Sequence, residues 1–118
     1  MNFNDGYFLN NFHKTRFQDM ARRNAKIYQS PAYLISAYIF SSSAELASKA
    51  EAELYNASIN FEHILAQDLK VEQKLLVCFA ANFYDDSRYT SPAIADLINH
   101  LSGETYTVML NIFKMFEH

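Results

Sequence analysis

The chain has 118 residues, half of them hydrophobic, with only 2 Gly, 2 Pro and a single Cys, and a formal net charge of −3. That length fits one domain, and that apolar content excludes disorder. Two glycines cannot supply the tight turns of an all-β fold, one thiol cannot close an internal disulfide, and the acidic balance disfavours nucleic acid.

In chain order, Asn10 predicts an N-cap and a first helix running to about Arg23. At ~100° per residue, Leu9, Phe12, Phe17, Met20 and Ala21 share one side, and His13 and Arg16 fall inside that apolar stripe. Ser30-Pro31 predicts the next start, a cap hydroxyl before a proline at the first helical position. The segment that follows, 32–40, is apolar on most sides and is expected to be buried. Ser42 and Glu45 have the spacing of a capping box for a helix over 44–54, with Glu45, Lys49, Glu51 and Glu53 on a solvated side. A break over 56–60 and a short helix over 61–66 come next.

Asp68 is expected to cap a helix over 69–84. Its run from Leu75 to Ala81 is apolar all round and marks it as the central helix. That run is also far too short for the ~20 residues of a membrane span. Asp85 and Asp86 fall in a loop. Ser91-Pro92 starts a helix that presents Ile94, Leu97, Ile98 and Leu101. Ser102-Gly103 ends it, with glycine suited to a left-handed cap. A last helix over 104–116 has Tyr106, Met109, Leu110, Phe113 and Phe116 as its stripe. The expected fold is all-α, a single compact bundle of five or six helices around the apolar helix near 69–84, spanning 1–118. The similar Tyr-x-Ser-Pro-Ala stretches at Tyr28 and Tyr89 reflect helix-start chemistry rather than a duplicated half.

Few residues suggest chemistry. His13, His63, His100 and His118 are too far apart for a zinc site, so no metal or cofactor is expected. Cys78 lacks a local base and reads as core. Asp85 and Asp86 read as a solvated turn. His13 and Arg16, three apart on one face, could line an anionic pocket. The favoured alternative is a core histidine bonded to a carbonyl, beside an arginine that pairs with an acid of the later helices.

Charge is unevenly placed. Residues 1–30 carry net +3 and residues 31–118 net −6. A basic first helix docked on an acidic remainder explains this. Arg22, Arg23 and Lys26 would suit phosphate contacts, but 31–40 is too apolar for a recognition helix, so nucleic acid is a minor reading. Asn56-Ala57-Ser58 is a glycosylation sequon, which carries no meaning without a secretion signal. No signal sequence is visible after Met1, and the cytoplasm is the expected location.

Two stretches resemble a family of small helical proteins from phages and mobile elements of Gram-positive bacteria. One is Phe8-Leu9-Asn10-Asn11-Phe12-His13-Lys14-Thr15-Arg16-Phe17. The other is Leu75-Leu76-Val77-Cys78-Phe79-Ala80-Ala81-Asn82-Phe83-Tyr84 leading to Ser91-Pro92, and the segment 32–37 fits between them. The resemblance implies an all-helical fold and a phage or plasmid origin. It implies no activity, and it draws attention to His13 and Asn82.

The expected function is a non-enzymatic module that binds another protein. Eighteen Phe and Tyr residues without a Trp exceed what a small core needs. Aromatic side chains left at the surface favour a protein partner or a second copy, with Tyr106 and Phe116 as dimer contacts. With the resemblance, the expectation sharpens to an inhibitor of a host or defence protein whose acidic surface, including Glu45, Glu51, Glu53 and Glu62, mimics nucleic acid. The alternatives are a small-ligand binder or enzyme at His13 and Arg16, with Asn82 a further candidate, and nucleic-acid binding through Arg22 and Arg23.

Overall fold

The computed structural model describes residues 3–84, 97 and 99–116. Among them there are seven α-helices, two 3-10 turns and no strand, an all-α bundle. The 3-10 turn Asp5–Tyr7 leads into α1 (Asn11–Arg23), α2 (Lys26–Gln29) and α3 (Pro31–Phe40). Then come α4 (Ala44–Ala50), a 3-10 turn over Glu51–Tyr55, α5 (Phe61–Leu65), α6 (Val71–Tyr84) and α7 (Gly103–Met115). The one-turn α2 is the helix that local sequence did not announce. Asp85, Asp86, Ser91-Pro92, Ile94, Ile98 and His118 lie outside the described residues.

The first helix starts as its sequence dictates: Asn10 is extended, and its side chain accepts from the His13 N–H. Its buried face differs from the expected stripe. His13, Phe17, Met20 and Ala21 point inward, while Phe12 is 74% exposed. The set 13, 17, 20, 21 has helical spacing, and turning that face inward leaves Phe12 outside.

Starts further along shift by small steps. Pro31 is the first residue of α3 as expected, but the Ser30 side chain makes no capping bond. Ser43, not Ser42, caps α4 by accepting from the Leu46 N–H, and Ser42 donates to the Ile39 carbonyl. Helix α6 begins at Val71 because Gln73 reaches back to the Lys70 N–H at 3.0 Å, which replaces Asp68 as the cap. Gly103 carries φ +56°, the only positive φ among the described residues. It occupies the first position of α7, after the Ser102–Thr105 capping box.

Every residue of α3 from Tyr33 to Phe40 is buried. Its most extensive neighbours are α6 and α2. Helix α6 is thus central but not the most enclosed, since Leu75 and Cys78 are half-buried and Phe83 is exposed. Each large side chain fully buried on α3 contributes roughly 1.5–3 kcal/mol by leaving water.

Burying a whole helix also buries polar groups of its own, and that of Tyr38 is matched. The Tyr38 hydroxyl donates to the Tyr7 carbonyl. The Asn111 side-chain amide donates to the same carbonyl at 3.0 Å and to the Tyr38 hydroxyl oxygen at 3.2 Å. This cluster joins the N-terminal segment, α3 and α7. Burial pushes the Tyr38 phenol up to about 12, against a smaller downward pull from Asn111.

Candidate functional site

His13 is fully buried, and both ring nitrogens are engaged. The Leu9 N–H donates to Nδ1 at 3.1 Å, so Nε2 carries the proton and donates to the Tyr38 carbonyl at 2.9 Å. Burial lowers its pKa to about 4, the Tyr38 carbonyl opposes that shift, and Arg16 adds to it. Arg16 donates through Nε to the Ser41 carbonyl at 2.8 Å, a backbone partner where an acid was expected. Asn82 is half-buried near the end of α6. None of these three lines either of the cavities described below. His13 is therefore the core histidine that the sequence favoured, bracing α1 against the end of α3.

The acidic residues do not form one open face. Glu45 pairs with Lys49 at 3.3 Å, and Glu51 is half-buried. Glu53 is buried, because the chain tightens into a 3-10 turn after Ala50 and rotates it inward. Its carboxylate accepts from His63 Nδ1 at 2.9 Å and from the Asn60 N–H and the Asn56 amide at 3.3 Å each. Burial alone would raise this carboxyl, but His63 and the two Asn donors outweigh it and hold it below the ordinary value. Of the named four, Glu45 and Glu62 are exposed.

The basic end of α1 is partly engaged with the fold. Arg22 pairs with Asp19, Arg23 lies 5.6 Å from the centre of the Tyr55 ring, and Lys26 lies 5.5 Å from that of Tyr33. Cys78 is half-buried with its thiol pushed up by burial, the opposite of a reactive thiolate. Among the described residues no three His, Cys, Asp or Glu side chains could hold a metal ion. No described helix is long and apolar enough to cross a membrane.

Two features remain. The first is an outer apolar face on α6 and α7. Helix α7 buries Val108, Met109, Ile112 and Met115 against the core. Its other side carries Tyr106, Leu110 and Phe113, which are 38%, 37% and 49% exposed. Positions 106, 110 and 113 follow helical spacing, so they form a second stripe. The rings continue onto α6: Phe113 meets Phe79 at 5.7 Å, Phe79 meets Phe83 at 5.2 Å, and Phe83 stacks with Phe116 at 6.1 Å.

The second feature is a cavity of about 260 Å³ where α4, α6 and α7 begin. Leu9, Leu46, Leu76 and Val108 give it apolar walls, and Lys70, Glu72, Gln73 and Glu104 give it polar ones. A second depression of about 290 Å³ lies beside Gln18, Arg22 and Tyr28. No sequence signal pointed to the first cavity, because its walls come from helix starts far apart in the chain.

Comparison of the chain with protein-family models, with curated proteins and with solved structures finds no match in any of the three.

Proposed function

We propose that this protein is a non-enzymatic module that binds another protein through the outer face of α6 and α7. The observation that carries this reading is the second apolar stripe of α7, Tyr106, Leu110 and Phe113, exposed while the first stripe fills the core. A helix packed against a core ordinarily turns polar residues to water. Contiguous exposed aromatic surface instead marks contact sites, where Tyr and Phe are enriched. The rings of Phe83 and Phe116 extend the face beyond one helix.

The partner can be a host or defence protein, in keeping with the phage or mobile-element family that the sequence resembles. The buried Glu53 does not favour contact through an acidic surface that mimics nucleic acid; the aromatic face does not depend on it. The test is capture of partners from bacterial lysate by the tagged protein and by a Leu110→Lys, Phe113→Glu double variant. Both side chains are exposed, so the variant should melt within a few degrees of the parent. Loss of a salt-resistant partner in the variant supports the reading. Equal capture by both proteins overturns it.

A further inference from the structure

The cavity at the starts of α4, α6 and α7 combines apolar walls with charged groups of both signs, and it holds hydrogen-bond donors that the protein does not use. Gln73 is only 7% exposed. Its Oε1 is fixed by the Lys70 N–H, which orients the amide and leaves Nε2 with no hydrogen bond among the described residues. That nitrogen is not sealed in the core, and Gln73 lines the cavity, so the donor is open to a ligand there. Ser43 adds a second donor: its oxygen accepts from the Leu46 N–H at 3.1 Å, and its own proton is unused. Lys70 also lines the cavity, and its ammonium makes no ion pair among the described residues.

Against these donors stand two carboxylates. Glu72 Oε1 takes the Ser102 hydroxyl at 2.8 Å, which leaves Oε2 open, and Glu104 stands on the first turn of α7. The starts of α6 and α7 add partial positive charge. A simple anion would meet Glu72 and Glu104. A simple cation would meet Lys70 and two positive helix ends. A molecule with one charge of each sign offers every group its opposite, and the Leu46, Leu76 and Val108 walls suit an apolar tail. The volume of about 260 Å³ lies just under the ~300–1,000 Å³ of pockets for drug-sized ligands, so the ligand is small.

We propose that this cavity binds a small zwitterion with an apolar side chain, the chemistry of a free α-amino acid. The carboxylate would face Lys70, Gln73 Nε2 and the Ser43 hydroxyl, and the ammonium would face Glu104 and the open oxygen of Glu72.

The experiment titrates L-leucine, and then the other L-amino acids singly, into the isotope-labelled full chain followed by NMR. Isopentylamine and 4-methylpentanoate, which each carry one of leucine's two charges, serve as half-ligands. The expected result is saturable shifts at the Gln73 side-chain amide and the Leu46, Leu76 and Val108 backbone amides. Each half-ligand should bind at least about tenfold more weakly. Lys70→Ala and Glu104→Gln, both at exposed positions, should each raise Kd about tenfold while leaving the spectrum of the fold intact. Three results would overturn the proposal: no saturable shift with any amino acid at millimolar concentration, unchanged affinity in both variants, or a half-ligand that binds as tightly as the zwitterion.

Discussion

Asn111 stands 104 residues after Tyr7 in the chain, and its side-chain amide donates to the Tyr7 carbonyl at 3.0 Å. The same nitrogen reaches the Tyr38 hydroxyl, so one amide links the N-terminal segment, the buried helix and the last helix. Asn111→Ala leaves that buried cluster short of a donor. The two hydrogen bonds lost are together worth about 1–3 kcal/mol, so thermal unfolding should fall by roughly 5–10 °C. Tyr38→Phe removes the other donor to the Tyr7 carbonyl, and the double variant, which alone orphans that carbonyl, should lose more than the sum of the two. Strict additivity would show that the groups do not act together.

His13 makes the fold acid-sensitive above the range of ordinary carboxylates. Its pKa is 6.5 when free and about 4 in the folded chain. Above 6.5 both states hold a neutral ring. Between 6.5 and 4 only the unfolded chain takes up the proton, so stability drops as pH falls through that window and this loss levels off below it. The full shift corresponds to about 3 kcal/mol. Urea midpoints measured at pH 7 and pH 4.5 should differ clearly for the parent. A His13→Gln variant should be weaker at pH 7 yet change less between the two values. A parallel change in both proteins would remove His13 as the cause.

Glu53 acts at lower pH. Its folded carboxyl is held below the ordinary 4.5, so its contribution is present above that value and disappears as pH falls through the lowered one. Glu53→Ala removes the acceptor shared by the Asn60 N–H and the Asn56 amide and should cost about 1–2 kcal/mol by denaturant unfolding at pH 7. His63→Ala should cost under about 1 kcal/mol, because the His63 ring is largely exposed. An equal loss from both would mean that the ion pair, not the bonds from Asn60 and Asn56, carries the effect.

Gly103→Ala isolates backbone conformation from packing. An added Cβ there meets nothing within 4 Å, but φ is +56°. The left-handed region costs a residue with a side chain about 1–2 kcal/mol, so the variant should lose about that much. A loss near zero would mean that α7 can start without the positive φ.

Much of the fold was legible because helix ends use local chemistry. Asn10 and Pro31 each sit at the boundary they signal, whereas Gly103, expected to close the helix before it, takes its positive φ at the first position of α7. What was not legible depended on distant partners. A histidine scores as polar, yet His13 is buried because Leu9 and Tyr38 occupy both its nitrogens, while the apolar Phe12 beside it stays outside. Glu53 looks solvated in sequence; its partners Asn60 and His63 lie beyond the helical spacing that a local pattern can read. Three adjacent serines hid which one caps α4. The outer face of α7 was half visible, since Tyr106, Leu110 and Phe113 were placed on its apolar stripe, but the single stripe proved to be two. The alternative of pocket chemistry at His13 and Arg16 met two backbone carbonyls, and the cavity opened elsewhere.

The burial of α3 on every side has a consequence for the nascent chain. During synthesis Tyr33–Phe40 emerges before α6, the helix that covers it most. At ~5–20 residues per second that interval lasts seconds, long compared with the ~0.1–1 μs of helix formation. Throughout it the most apolar segment of the protein is made but unsheltered. Overproduction should therefore burden chaperones early in translation, and fragments that stop short of Val71 should aggregate where the full chain does not.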